Sequence, residues 1–329
     1  MKKNKIPAII ATVLVFTVFA LGSGSDTSEK KQITGSDTET TTTVTDESSS
    51  AASDSEGPDS TVETAETPAD IAETEDNKSA KTNVTIEKQV LIDDDGLKIT
   101  AKEYVSDSIW GDGISLLIEN DTSKDIGIGC SALIINDYMI TDLFSASVAS
   151  GKKANETLNL SDTALERAGI TDIGKIEVYF HTYDDDSYST IKDYPCVEIK
   201  TSAYDTMQSP ANDDGYELYN DKDVRIVGKY VDEDSFWGAG VLLYIENNSG
   251  KNIIVQCDDM SINGFMMTPY FSSTVYDGKK CMDEITLLSS ELESNDITNI
   301  DEIELKFKII NEKNYNTIVE TDPITFSAK

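Results

Sequence analysis

The chain has 329 residues, of which 61 are acidic and 27 are basic, so its formal net charge at pH 7 is −34. Phosphate binding needs a basic face, so this charge argues against a nucleic-acid ligand and against adsorption to anionic lipid. The single histidine excludes most histidine-based catalysis and histidine-rich metal sites. The length allows two ordinary domains and a tail.

The first 25 residues have the features of an export signal. Three lysines lie within residues 1–5, residues 6–21 are nearly all apolar, and small residues follow directly at 22–25. This order predicts that residues 1–25 are a signal peptide or an uncleaved N-terminal anchor. We therefore expect an extracytoplasmic protein that is secreted, or is attached to the cell membrane through its N-terminal segment alone.

A compositional change follows the signal. Thr, Ser, Asp and Glu dominate residues 26–84, and no Phe, Tyr or Trp occurs there. A segment of this kind buries too little apolar surface to offset the entropy lost on ordering. It is therefore predicted to be a disordered acidic stalk that holds the folded part away from a membrane. A stretch that carries O-linked sugars is the alternative interpretation.

The remainder of the chain contains an internal duplication. Residues 105–200 align with residues 232–327 at a constant offset of 127 without gaps, and 34 of the 96 aligned positions are identical. Each copy is large enough to fold as an independent domain. The predicted boundaries are residues 85–202 for repeat one, 203–216 for a linker, and 217–329 for repeat two.

Within each repeat, apolar residues mostly alternate with polar ones, which is typical of strands with one buried face. Examples are Ile114, Leu116 and Ile118 in repeat one. Asn263-Gly264 predicts a tight hairpin, and residues 162–169 and 289–296 predict one short helical turn in each repeat. These elements predict an all-β fold with an antiparallel sandwich in each repeat, and a closed barrel is the alternative.

A longer motif begins at Trp110 and again at Trp237. It reads W-G-x-G-(I/V)-x-L-x-I-E-N, then a polar turn and K-x-I. It resembles the immunoglobulin-like β-sandwich modules of unknown function in exported Gram-positive surface proteins and lipoproteins. The resemblance implies two tandem immunoglobulin-like antiparallel β-sandwiches after the stalk, and it brings no catalytic residues. The lipoproteins of this kind usually have a lipid-bearing cysteine after the signal, which this sequence lacks.

The four cysteines are Cys130, Cys196, Cys257 and Cys281. Cys130 and Cys257 are equivalent in the alignment, whereas the other two have no cysteine partner in the opposite repeat. Two interpretations stay open, namely buried free thiols on strands, or one disulfide per repeat that joins Cys130 to Cys196 and Cys257 to Cys281. Without C-x-x-C spacing or histidine partners, we expect no zinc site.

Acidic clusters occur where strands should turn. They lie at residues 93–95, 184–186, 213–214 and 232–234. Solvated turns are the preferred interpretation, and weak calcium sites are the alternative, because calcium binds several carboxylate oxygens at extracellular loops. No cluster fits the D-x-[DN]-x-[DN]-G loop pattern.

Two further pairs of equivalent residues are candidates for function. Trp110 and Trp237 each precede a strand, where we expect them to fill the core, and an exposed stacking platform for a sugar or peptide is the alternative. The lysine pairs 152–153 and 279–280 each follow a turn glycine and are expected to be exposed.

An internal isopeptide crosslink is the alternative for the lysine pairs. It would join Lys152 or Lys153 to Asn120 beside Glu177, and the same positions have counterparts in repeat two.

No nucleophile elbow, cysteine–histidine pair, phosphate loop or H-E-x-x-H motif occurs in the chain. We therefore expect a protein that is not an enzyme and has no cofactor, no metal and no catalytic residues. The expected function is a non-catalytic, extracytoplasmic binding or interaction protein of the cell surface. Its partner would be a cell-wall polymer or another surface protein, and not nucleic acid. The alternatives are a structural spacer of the cell envelope and a cell-wall hydrolase.

Overall fold

The computed structural model describes residues 30–35, 84–108, 111–140 and 144–329. The predicted export signal, most of the predicted stalk and Trp110 lie outside these ranges. Within them the chain forms 21 strands and two short helices. The prediction of an all-β fold with two tandem sandwiches is therefore confirmed.

Repeat one is a sandwich of two antiparallel sheets. Its first sheet contains, in spatial order, β2 (Gln89–Asp94), β3 (Leu97–Ser108), β4 (Gly111–Asn120) and β8 (Lys152–Asn159). The second sheet is centred on the pair β5 (Ile126–Ile135) and β9 (Lys175–Asp184). Two short strands pair with β5, namely β6 (Tyr138–Ile140) and β7 (Ser145–Val148). Two more pair with β9, namely β10 (Thr190–Asp193) and β11 (Val197–Lys200). Helix α1 (Asp162–Ala168) connects the sheets.

Repeat two reproduces this arrangement strand by strand. Its first sheet contains β12 (Tyr216–Asp221), β13 (Val224–Ser235), β14 (Gly238–Asn247) and β18 (Lys279–Leu288). Its second sheet contains β15 (Ile253–Ile262), β16 (Phe265–Met267), β17 (Ser272–Val275), β19 (Glu302–Asn311), β20 (Thr317–Glu320) and β21 (Ile324–Ala328), and α2 (Ser289–Ser294) is the helix. Each element begins 127 residues after its counterpart (216 − 89 = 127 for β12 and β2).

The core of each sandwich follows from the alternating pattern. Ile114, Leu116 and Ile118 on β4 are fully buried against the facing sheet, and the residues between them point outwards. Each buried side chain of this size stabilises the fold by about 1.5–3 kcal/mol. The two sheets of each repeat therefore meet over one apolar layer.

A buried asparagine organises the same turn in both repeats. The Asn247 side-chain amide donates to the carbonyl oxygens of Lys251 and Val275, both at 2.8 Å, and its oxygen accepts from the Ser249 backbone and hydroxyl groups. Asn120 makes the equivalent four bonds in repeat one. Both asparagine side chains are fully buried. They are tolerated in the core because every polar atom of each side chain has a hydrogen-bond partner.

The N-terminal part of the predicted stalk is a strand. Residues Lys31–Gly35 form β1, so the prediction of disorder is wrong for this segment. β1 pairs with β13 and then crosses to β21 in the facing sheet of repeat two. Ile33 enters the core there with 4% of its surface exposed. The average composition of residues 26–84 is polar, so it does not reveal the single apolar residue Ile33 between polar neighbours.

The two repeats pack directly against each other. β6 of repeat one pairs in parallel with β18 of repeat two, with Tyr138 opposite Lys280 and Met139 opposite Cys281. Tyr138 is fully buried, and its hydroxyl donates to linker carbonyl oxygens at Pro210 (2.6 Å) and Ala211 (2.9 Å). The linker between the repeats is therefore part of this contact, which we call the joint.

A group of charged side chains completes the joint. The Lys279 ammonium lies 2.8 Å from an Asp137 oxygen and 2.6 Å from a Glu177 oxygen, and Lys175 lies 2.7 Å from Asp137. Lys279 is 14% exposed, so the prediction of an exposed lysine pair is wrong for repeat two. In repeat one the pair at 152–153 is exposed, as predicted. The lysines of repeat two are covered because repeat one occupies the edge of β18.

Replacing Ile33 with Asp tests whether β1 belongs to repeat two. A carboxylate in this apolar position has no partner, so we expect Ile33→Asp to lower the free energy of unfolding by about 2–4 kcal/mol. Urea unfolding followed by circular dichroism measures the change. Gln32→Asp adds the same charge at an exposed neighbouring position and should change stability by less than about 0.5 kcal/mol. Equal effects of the two variants would contradict the assignment.

The joint should weaken in acid. Burial raises the pKa of Asp137, but hydrogen bonds from Lys175 and Lys279 outweigh burial, so the net shift is downward. A lowered pKa means that the ionised carboxylate stabilises the native state above its unfolded pKa of about 4, and that this contribution is lost as the pH falls through the folded pKa. Asp137→Asn should therefore lower the melting temperature at pH 7 and have a smaller effect at about pH 3. A difference that is the same at both pH values would argue against this role.

Candidate functional site

Asn120 and Lys152 lie opposite each other on β4 and β8, but the rest of the proposed crosslink is not assembled around them. Asn120 uses its amide group in the buried turn, and Lys153 pairs with Glu119 on the neighbouring strand. Glu177 lies instead at the joint, where it pairs with Lys175 and Lys279. The isopeptide alternative is therefore wrong for these residues.

The acidic clusters form hydrogen bonds and ion pairs with neighbouring side chains. Asp93 lies 2.9 Å from Lys98, and Asp184 accepts hydrogen bonds from Ser187. Among the described residues, no three His, Cys, Asp or Glu side chains are placed to hold a metal ion. The expectation of no metal stays a prediction, since calcium binding is a matter for solution measurement.

One acidic cluster has a structural role that its sequence did not reveal. Asp214 lies 2.6 Å from the Lys229 ammonium, whose side chain is only 8% exposed, and Asp213 pairs with Arg225. Hydrogen bonds from Lys229 and Arg225 lower the pKa values of Asp214 and Asp213. These pairs hold the end of the linker against repeat two, so this cluster is not simply a solvated turn.

All four cysteines are free thiols. Cys257 and Cys281 are buried in repeat two, Cys130 is half-buried and Cys196 is exposed. The interpretation as free thiols is supported, and the pairings 130–196 and 257–281 are not formed. Burial raises the pKa of Cys257 to about 12, which disfavours the reactive thiolate.

Exposed aromatic side chains mark one end of repeat two. Phe236 is 70% exposed and Trp237 is 46% exposed, and their rings meet edge to face at 5.0 Å between centroids. The exposed Tyr270 lies at the same end, where its backbone pairs with Thr286 on β18. We call Phe236, Trp237 and Tyr270 the aromatic tip.

The position of the tip follows from the strand ends. Phe236 and Trp237 form the turn between β13 and β14, beyond the last residues that the sandwich covers. Gly238 has a φ of 145°, and a Cβ there would lie 2.4 Å from the Leu287 carbonyl oxygen. This glycine lets β14 start tightly against β18, so the tryptophan is left outside. The expectation that Trp237 fills the core is therefore wrong.

Helix α2 supports the tip from the side. Its first residue, Ser289, donates its backbone N–H to the Trp237 carbonyl oxygen at 2.8 Å. Glu291 accepts two bonds of 3.0 Å from Thr268, which fixes the strand connection that leads to Tyr270. The tip thus rests on elements that are hydrogen-bonded to one another rather than on a loose loop.

The tip combines apolar faces with negative charge. The acidic residues 232–234 are separated from the aromatic pair by Ser235 alone, and Glu233 pairs with Lys31 of β1 at 3.0 Å. Aromatic faces offer stacking surface, and carboxylates accept hydrogen bonds from hydroxyl or ammonium groups. This arrangement fits a polyhydroxylated or cationic ligand at an open surface.

The two described helices bear on membrane attachment. Neither helix in the described ranges is long and apolar enough to cross a bilayer.

No protein-family model and no curated protein matches the chain. Among solved structures it is similar to a Salmonella enterica SafA pilin in complex with the SafB chaperone, with 10% identity, a TM-score of 0.19, and coverage of 65% of this chain and 88% of that chain. A likeness this distant carries no information about function.

The cysteine assignment gives a direct test. In the folded protein at pH 8, iodoacetamide should modify the exposed Cys196 first and leave Cys257 and Cys281 unmodified, because both are buried. After denaturation without reductant, all four thiols should react. Intact mass and peptide mapping measure the modification, and a native chain two mass units lighter per pair would show that a disulfide forms.

Proposed function

We propose that the protein is a non-catalytic binding protein of the cell surface that contacts its ligand with the aromatic tip of repeat two. The observation that carries the proposal is the exposed pair Phe236–Trp237 at the end of a rigid sandwich. A large aromatic side chain that stays exposed forgoes the stabilisation it would gain if it were buried in the core. In binding proteins, such side chains supply most of the binding energy at the contact surface.

The ligand class that best suits this surface is a cell-wall polymer with saccharide units. Ring faces stack on the apolar face of a sugar, and neighbouring carboxylates accept its hydroxyl protons. The acidic surface of the whole chain also favours amino or other cationic groups on the polymer and disfavours polyphosphate.

The proposed location rests on the sequence. Residues 1–25 carry the pattern of an export signal, and the repeats resemble immunoglobulin-like modules of exported Gram-positive surface proteins. A protein in that location would have wall polymer within reach. Catalysis is not part of the proposal, because the tip is a convex end of a sandwich rather than a cleft that would exclude water.

Sedimentation with isolated cell walls tests the proposal. Purified residues 26–329 should co-sediment with walls at moderate salt, and Trp237→Ala should weaken binding about tenfold or more, since it removes the main stacking face. Tyr315→Ala is the matched control, because Tyr315 is 72% exposed but lies in the turn after β19, at the opposite end of repeat two.

Each outcome of that experiment separates the competing functions. Equal binding by both variants would remove the tip as the contact surface. No wall binding at any salt or calcium concentration would favour a structural spacer. Release of soluble wall fragments by the purified chain, at a rate proportional to protein concentration, would favour a hydrolase instead.

A further inference from the structure

Each of the two strand edges that form the joint has a counterpart in the other repeat, and no other described strand covers these counterparts. Because the repeats align with an offset of 127, every joint residue that lies within a repeat has an equivalent in the other repeat. Repeat one contributes the edge strand β6 to the joint, and β16 is the equivalent edge of repeat two. Repeat two contributes the edge strand β18, and β8 is the equivalent edge of repeat one.

Both counterpart edges are open. Among the described strands, β16 pairs with β15 alone and β8 pairs with β4 alone. An open edge presents unpaired backbone groups that another strand can use. The side chains on β16 show the consequence, because Phe265 is 48% exposed and Met266 is 66% exposed. Their equivalents at the joint are Tyr138, which is fully buried, and Met139, which packs on the core of repeat two.

The charges at the two open edges are complementary. Lys279 binds Glu177 across the joint, and the equivalent residues are Lys152 and Glu304. Both of these side chains are exposed, as is Glu302, which takes the place of Lys175. A joint formed between the open edges would therefore bring Lys152 onto the carboxylates of Glu302 and Glu304.

One substitution between the repeats also fits an intermolecular contact. The Tyr138 hydroxyl binds carbonyl oxygens of the linker, which is present only where two repeats follow each other in one chain. The equivalent residue, Phe265, has no hydroxyl group. A tyrosine in that position would bury a hydroxyl without a partner at a joint that has no linker.

We propose that the chain assembles head to tail, with β16 of one copy pairing in parallel with β8 of the next copy in the geometry of the joint. The contact is heterologous, so it leaves one open edge at each end and adds copies in a row rather than closing a dimer. Several joint contacts have no counterpart, since Gly264 takes the place of Asp137, and Arg167–Glu284 and Tyr179–Tyr276 are replaced by other residue types. The intermolecular contact is therefore weaker than the internal one.

The proposal goes beyond the proposed function and uses a different surface. Phe236 and Trp237 of the aromatic tip lie on the turn between β13 and β14, whereas the assembly edge is β16, three residues before Tyr270. Wall binding by a monomer and assembly without wall binding are both possible outcomes, so each proposal fails separately.

Sedimentation velocity of residues 26–329 is the first test. In 0.15 M salt, where charge repulsion between acidic chains is screened beyond about 8 Å, the weight-average sedimentation coefficient should rise between about 10 and 500 μM. Phe265→Asp should abolish the rise, because it places a charge in the apolar part of the contact. Tyr315→Ala serves again as the control with an exposed aromatic residue removed elsewhere. A wild-type coefficient that stays constant over this range would overturn the proposal.

A charge reversal identifies the partner edge. The variant K152E should not associate alone, and neither should E302K/E304K, because each places like charges on both edges. An equimolar mixture should form mixed species in which the two variants alternate, because every contact between unlike variants pairs opposite charges, and native mass spectrometry with one variant isotopically labelled detects them. These substitutions are at exposed positions, so circular dichroism should match the wild type. Association of either single variant as strong as the wild type, or no mixed species, would overturn the assignment of the two edges.

Discussion

The parallel pairing of β6 with β18 is the contact on which the arrangement of the molecule depends. It buries Tyr138, brings Lys279 between two carboxylates and draws the linker over the contact. The cost of removing these charges from water is offset because each ammonium and carboxylate has a partner at hydrogen-bond distance. The two sandwiches therefore form one body, in place of two modules on a free linker.

The residue types at the end of the linker explain why repeat two takes a strand from the N-terminal segment. In repeat one, Ile86 precedes β2 directly and pairs with Thr201 beyond β11. The equivalent position in repeat two is Asp213, which holds Arg225 at the end of the linker. A carboxylate is unsuited to the apolar edge, and Ile33 of β1 fills it opposite Ala328.

The two repeats have the same strands, but the residues at the edges and ends of those strands differ in type or in exposure. The two buried asparagines retain identical bonding because any change leaves polar atoms unsatisfied in the core. Surface positions carry no such constraint, so equivalent residues differ in exposure with their surroundings. Lys279 is covered where Lys152 is exposed, and Tyr138 is covered where Phe265 is exposed. Function is expected where the repeats differ, at the tip and at the open edges.

The sequence by itself determined the strands, the helical turns and the sandwich class, because apolar alternation and turn residues act locally and the duplication doubles the signal. It did not place Ile33, Trp237 or Lys279. Ile33 lies in a segment of polar composition, which gave no sign that it is buried. The exposure of Trp237 depends on where the β13–β14 hairpin extends past the end of the sheet. The burial of Lys279 depends on contact with the neighbouring repeat. Only the tertiary structure decided these positions, since burial at an edge is set by what another part of the chain brings to it.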